Sequence, residues 1–307
     1  MTKFFVVGDV TVDQMYFVKE LPEKGGETNV TKAVLEPGGA AGTLATILAK
    51  LANQVSLASS VGVGPFAELA LSEIKKAGVD ISKLQYNQDK QTSTVTLLIT
   101  PDGERTMISS AGASRQLDSS LLQEEDITSS DALVMSAYSF IGGKQREYSL
   151  KAFEIAKKNN VKTFIDMGSG AVNALEDNLI PLLKGVNYLL MNQHELFTLT
   201  ATDSISDAVA DLSKHGIENI IVKLGAMGSM VITPDNTELI EALELDNIVD
   251  TTGAGDNYTA AFAHSIMQGK SLLEAAYFGN VVGALSATII SAQKTDLSPD
   301  TLKQYYQ

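Results

Sequence analysis

The segment Asp250-Thr-Thr-Gly-Ala-Gly-Asp256, followed at once by an apolar-periodic run, holds the most specific chemistry in this chain. A glycine-rich turn that opens a helix points free backbone N–H groups and the positive end of the helix dipole at one place. Asp256 stands at that same place. Donors for developing negative charge, beside a base that takes a proton, are the minimum apparatus for moving a phosphoryl group onto a hydroxyl. The pattern predicts a kinase of a small hydroxylated molecule.

Other residues of the right type fall at the carboxyl ends of expected strands, where open α/β sheets bind ligands. Asp166 ends one strand, Asn192 follows another and Gly225 a third. In Met191-Asn-Gln-His-Glu195, Asn192 and Glu195 are spaced i, i+3 at a helix start. An amide and a carboxylate so placed suit outer-sphere handling of Mg²⁺ and its waters near phosphates; the same spacing also fits a plain helix cap. Lys223-Leu-Gly-Ala-Met-Gly228 is a turn in which Gly225 and Gly228 let backbone approach a nucleotide and Lys223 reaches a phosphate, or a simple strand–turn–strand with a solvent-facing lysine. Pro37-Gly-Gly-Ala-Ala-Gly-Thr43 runs into an Ala-rich helix, either as a backbone bend against a ligand or as tight small-residue packing.

Some routes are closed or weak. Gly62-Val-Gly-Pro-Phe-Ala67 fits a dinucleotide fingerprint, but it does not follow the first strand, and Asp80 beyond it fits a structural turn. No G-x-x-x-x-G-K-[ST] occurs. The histidines His194, His215 and His264 do not cluster in sequence, so a histidine metal site or a Ser–His–Asp triad has no local support.

The elements that must position these residues alternate. Strands are expected at Phe4–Val7, Val55–Val61, Ala132–Ser136, Lys162–Asp166, Val186–Met191, Asn219–Lys223 and Met230–Thr233. Helices are expected at Ala41–Leu51, Phe66–Ala77, Lys144–Asn159, Val172–Lys184, Ile205–His215, Ala254–Gln268 and Leu272–Ala287. In the helix after the glycine turn, Tyr258, Ala261, Phe262, Ser265 and Ile266 form one buried stripe. Such alternation predicts an α/β fold with a mostly parallel sheet covered on both faces. Between Asp13 and Glu36, and between Thr92 and Ser110, strand-like text has no intervening helix, with Pro101-Asp-Gly103 as a turn. These pieces predict a small antiparallel sheet serving as a lid that keeps water from the phosphoryl group. The expectation is one domain over residues 1–307, with lid strands within about 13–36 and 92–110.

Composition bounds the partners. The net charge of -14 argues against nucleic acid, though not against a nucleotide met locally by N–H donors, a lysine and Mg²⁺. With no cysteine, disulfides and thiol chemistry are excluded; a cytoplasmic location is expected. The amino-terminal apolar run is too short for a signal peptide, and no stretch reaches membrane-spanning length.

On these motifs the sequence resembles the ribokinase-like, PfkB-type carbohydrate kinases along nearly its whole length. The resemblance implies a three-layer αβα sandwich with a small β-sheet lid. It implies that Asp256 is the catalytic base, that the backbone of Gly253, Ala254 and Gly255 is the anion hole, and that Asn192 and Glu195 match the N-x-x-E motif associated with Mg²⁺ and phosphate. Gly225 and Gly228 match the nucleotide-side turn, joined by Lys223, and Asn280 falls on the adenine side. Asp13, closing Gly8-Asp-Val-Thr-Val-Asp13, would grip sugar hydroxyls with Gly38, Gly39 and Thr43, and Arg105 would bring charge from the lid. Three departures stand out: Thr43 replaces a common Asn, Met167-Gly-Ser-Gly170 lacks the Asn and Arg of some acid-sugar kinases, and Ser291-Ala-Gln293 lacks a Gly-Ala pair beside a monovalent-cation (K⁺) site at Asp250. The implied function is ATP- and Mg²⁺-dependent phosphorylation of a sugar hydroxyl. The alternatives are a nucleoside kinase, a phosphofructokinase-like enzyme, a catalytically silent ligand sensor and a nicotinamide dehydrogenase. A homodimer through the lid, using Val30, Val34, Val95 and Leu97, is also expected.

Overall fold

The computed structural model describes residues 1–102, 104–175 and 179–305. Its main sheet has eight strands in the order β14-β13-β12-β11-β10-β9-β1-β4. These are β1 (Lys3–Val7), β4 (Gln54–Ala58), β9 (Ala132–Ser136), β10 (Lys162–Asp166), β11 (Tyr188–Asn192), β12 (Ile220–Lys223), β13 (Ser229–Ile232) and β14 (Thr237–Ile240). From β4 to β12 all neighbours are parallel; β13 and β14 add antiparallel at one edge. The parallel strands are buried on both faces, which is why they read as continuous apolar runs. Along β1, Phe4 and Val6 enter one apolar cluster and Phe5 and Val7 the other.

Helices cover both faces. One face packs against α1 (Ala40–Lys50), α2 (Pro65–Ala70), α3 (Ser72–Lys76), α9 (Ala254–Met267) and α10 (Leu272–Ser286). The other packs against α4 (Glu124–Thr128), α5 (Gly143–Lys158), α6 (Ser169–Ala174), α7 (Gln193–Thr200) and α8 (Ile205–Lys214). A short α11 (Pro299–Leu302) lies near the carboxyl terminus. The expected stripe on α9 is buried or packed against the core, but Asn257, Thr259, Ala260 and Ala263 are buried as well. A helix is amphipathic only where one side meets water, and α9 lies between the sheet and α10. Phe262 contacts Phe164 and Tyr188 edge-on, and those two rings stack at 4.8 Å.

Four strands form a separate small sheet, β3-β2-β7-β8: β2 (Thr11–Val18), β3 (Val30–Gly38), β7 (Ser93–Ile99) and β8 (Arg105–Ser110). Its outer pairs are antiparallel as expected, but the central pair β2–β7 is parallel. The chain leaves the small sheet after β3, builds α1 to α3 and returns, so β7 enters in the same direction as β2. Of the Pro101–Gly103 turn, Gly103 lies outside the described residues, as does the middle of the helix expected over 172–184. The long strand expected at 55–61 divides into β4 and a two-residue β5 (Ser60–Val61), which pairs with β6 (Gln85–Tyr86). Leu97 is buried at 1% exposure, so it offers no free apolar face for dimerisation. Among the described residues no helix is long and apolar enough to cross a membrane.

Gly228 ties the β13–β14 edge to the turn after β12. It has φ +93°, and a Cβ there would lie 2.0 Å from the Ile240 carbonyl oxygen. Gly228→Ala is expected to lose about 2–3 kcal/mol in chemical denaturation; an unchanged midpoint would contradict this close approach.

Candidate active site

The carboxyl ends of the strands converge as the topology requires. Asp9 follows β1, Tyr138 follows β9 on a short 3₁₀ turn (Ala137–Phe140), Asp166 ends β10, Asn192 ends β11 and Lys223 ends β12. The amino end of α9 closes over this rim. Gly253 is its N-cap at φ +73°, a left-handed conformation that favours glycine, and a Cβ there would meet the Ala292 Cβ at 2.3 Å. The Ala254 N–H turns back to the Thr251 carbonyl at 3.3 Å. The amides of Gly253, Gly255 and Asp256 have no such partner among the described residues, so they are the unpaired donors of the helix start. From behind, Asn257 Nδ2 donates to the carbonyls of Gly253 at 3.0 Å and Ala292 at 3.1 Å.

Beneath the turn lies one cation among several carboxylates. Lys223 Nζ donates to Asp166 Oδ1 at 2.5 Å and approaches the Gly255 carbonyl at 3.5 Å. Asp166 Oδ2 accepts from Thr259 Oγ1 of α9 at 2.8 Å, which fixes that helix against β10. The lysine is therefore paired under Gly255 rather than facing open solvent. Burial opposes its charge, but Asp166 and Glu195 hold its pKa above the ordinary value. Asp256, half-buried in the cleft, is pushed well above the carboxylate range by burial and by Asp166, with Lys223 pulling the other way. A carboxylate so raised is a stronger base than a free one.

On one side of Asp256 stand the expected acceptor residues. Asp13 Oδ1 accepts from Thr11 Oγ1 at 2.9 Å, and the carboxylate lies against Gly38, where a Cβ would fall 2.2 Å from Oδ1. Gly39 turns the chain at φ +88° over the Asp9 carbonyl, and the buried Gln293 holds the Gly38 carbonyl through Nε2 at 3.2 Å. Thr43 is buried in α1. Arg105, from β8, reaches the signature segment itself. It donates to Thr252 Oγ1 at 2.5 Å and Thr251 Oγ1 at 3.0 Å, and lies 3.6 Å from Asp250 Oδ1. Its charge is thus spent on the turn. Ser291, at φ +76°, takes by strain a conformation that glycine would adopt freely.

On the other side are the nucleotide-side residues. Asn192 and Glu195 form a full capping box, with Asn192 Oδ1 accepting from the Glu195 N–H and Glu195 Oε2 from the Asn192 N–H, both at 2.8 Å. Glu195 Oε1 also accepts from Asn192 Nδ2 and Ser169 Oγ, at 2.8 and 2.9 Å. The cap and the candidate outer-sphere carboxylate are the same group. Gly225, at φ +61°, opens the turn after β12. Asn280 donates through Nδ2 to the carbonyls of Ile240 and Glu241 at 3.0 Å, pinning the end of β14. Among the described residues no cluster of three or more His, Cys, Asp or Glu is placed to hold a metal.

Two rim residues escaped the sequence reasoning. Asp9 lies inside the Gly8–Asp13 motif but was passed over for Asp13; Tyr138 belongs to no motif. A polar or aromatic residue just past the end of a buried strand was the signal available for both. The Gly62–Ala67 segment is structural: Gly62 packs against the backbone of residues 90–92, and Asp80 accepts from Ser82 and Ser56.

The sequence profile described as pfkB family carbohydrate kinase matches residues 1–299. A ribokinase from Haemophilus influenzae is 24% identical over 297 residues, covering 94% of each chain. A nucleoside kinase from Methanocaldococcus jannaschii is 25% identical, over 96% of this chain and 92% of its own. Among solved structures, the Arabidopsis thaliana ribokinase complexed with ribose and ATP has a TM-score of 0.86 at 22% identity, over 99% of both chains.

Asp13 is raised to about 6, by burial first and then by Asp9, Asp250 and Glu36, against the bond from Thr11. An acid whose folded pKa lies above its unfolded one adds stability that is complete below about pH 4 and lost as pH rises through about 6. Asp13→Asn removes that loss. The variant is expected to gain on the wild type by roughly 1–3 kcal/mol between about pH 4 and 7. A stability difference that does not change with pH would contradict it.

Proposed function

Because the chain belongs to the pfkB family of carbohydrate kinases, we propose that it transfers the γ-phosphoryl group of Mg·ATP to a hydroxyl of a sugar or nucleoside. The observation that carries this is the half-buried Asp256 at a helix start whose Gly253 and Gly255 amides are unpaired. In this mechanism Asp13, backed by the Gly38–Gly39 bend, holds the acceptor by its hydroxyls. Asp256 takes the proton from the attacking hydroxyl, and the amides of the turn hold the charge of the group in transit. Lys223 adds positive charge behind Gly255 without leaving Asp166. Gly225, Gly228 and Asn280 shape the nucleotide side. Bound Mg²⁺ would neutralise phosphate charge, with Glu195 facing its waters.

A monovalent cation fits Asp250 less well, since its Oδ1 already accepts from the Thr252 N–H at 2.9 Å and faces Arg105. The small sheet serves as the lid, and Arg105 couples its position to the anion-binding turn. Self-association through that sheet would use Val30, Leu35, Met107 and Ile108, all exposed; light scattering reads it directly, a monomeric mass being contrary. The ribokinase relative favours a sugar and the nucleoside kinase relative a nucleoside.

Asp256→Asn is expected to lower kcat by roughly 10²–10⁴-fold while ATP affinity changes by less than about threefold. Near-normal turnover on the best acceptor would remove Asp256 from the role of base. Activity should also rise with pH through the shifted pKa of this group, because only its ionised form accepts the proton.

A further inference from the structure

The proposed transfer uses Asp256 and Asp13 but leaves two polar groups on the same rim without a task. Asp9 Oδ1 is buried and has no hydrogen-bond partner among the described residues. The carboxylate sits at the amino end of α1, where the Ala41 N–H favours its charged form although burial raises its pKa to about 6. A buried acceptor with nothing to accept from is costly, and such groups persist where a ligand completes them.

Tyr138 is the second. Its ring is wedged against Gly168 and Gly170, where added Cβ atoms would lie 2.3 Å from Cε2 and 2.9 Å from Oη. Oη accepts the Gly170 N–H at 3.3 Å, and its own proton has no acceptor among the described residues. Beyond burial, the charges acting on this phenol are Asp9, Asp256 and Glu195. The hydroxyl therefore sits among these carboxylates, between the acceptor and nucleotide sides.

Three cations around this rim are engaged. Arg105 holds Thr251 and Thr252, Lys223 holds Asp166, and Lys294 pairs with Glu36 at 2.5 Å. Arg115 stands against Gly142 and Gly143 and is not among the charges bearing most on Asp9, Asp13 or Asp256. The charges that bear most on Asp13 are all carboxylates. An anionic acceptor entering here would meet like charge from these carboxylates.

We propose that Asp9 and Tyr138 complete the acceptor site, Asp9 accepting from and Tyr138 donating to the non-reacting hydroxyls of an uncharged polyol, so that sugar phosphates and sugar acids are refused. This rests on the kinase function above and narrows its acceptor class. Asp9 and Tyr138 are specificity residues here, since neither touches the transferred group.

The test uses the full chain with Mg·ATP and a panel of uncharged sugars and nucleosides, their monophosphates and the corresponding sugar acids. Turnover confined to uncharged acceptors is the expected result. For the preferred acceptor, Tyr138→Phe should raise KM about 3–10-fold and Asp9→Asn about 10–100-fold, with smaller falls in kcat. A merely structural role would lower the melting temperature and leave KM in place, which would overturn the assignment. Preference for a charged acceptor would also overturn it while leaving the kinase function standing. No turnover of any acceptor would overturn both. Should a variant fail to fold, the acceptor panel on the wild type still decides the class.

Discussion

A single buried ammonium holds the site together. Lys223 lies among Asp166, Glu195 and Asp256, and without it several carboxylates would face one another. Removing one partner of a buried ion pair commonly costs about 3–5 kcal/mol, because the other charge is left uncompensated. The pair also fixes geometry. Asp166 takes one bond from Lys223 on β12 and one from Thr259 on α9. The strand that carries the cation and the helix that carries Asp256 are thereby locked to the same carboxylate, and the turn between Gly253 and Asp256 inherits its position from them. Gly255 lacks a side chain where a Cβ would fall 3.1 Å from Lys223 Nζ.

The proposed acceptor and nucleotide halves are built differently. The nucleotide half is made of backbone: the turn from Gly225 to Gly228, the end of β14 pinned by Asn280, and a helix cap whose glutamate is already triply hydrogen-bonded. Such a surface suits a ligand that brings its own charge and metal. The other half is made of carboxylates, with Asp13 packed against Gly38, whose carbonyl accepts from Gln293 near the far end of the chain. Arg105 connects the two by clasping the segment that leads into the anion-binding turn. A sheet that moves must release or carry that clasp, which links closure to the turn's shape.

Much of this was legible in the sequence because each element agreed with its neighbours. Ala132–Ser136 and Lys162–Asp166 are strands at the expected boundaries, since short β-branched and apolar runs buried on both faces leave little room for another structure. The glycine turn was legible because few conformations other than a helix start use Gly-Ala-Gly in that place. What escaped was tertiary. Thr237–Ile240 is half exposed at a sheet edge, so it lacks the apolar density of a strand. The sequence around Lys223 carries no sign of its partner Asp166, 57 positions away. Thr43 falls inside the expected helix over Ala41–Leu51, but its burial in α1 had no sign in the sequence. Tyr138 carries no motif and Asp9 lies inside one that points to Asp13, and only the parallel pairing of β1 with β9 brings the two to one rim.

The central claim is that Asp256 and the amides of the α9 start face the same reacting atoms. A crystal structure with a non-hydrolysable ATP analogue and the preferred acceptor tests this directly. The account predicts an acceptor hydroxyl about 2.6–3.2 Å from Asp256 Oδ and the terminal phosphate of the analogue on the Gly253 and Gly255 amides. A nucleotide bound away from this rim, or a hydroxyl beyond reach of Asp256, would contradict it.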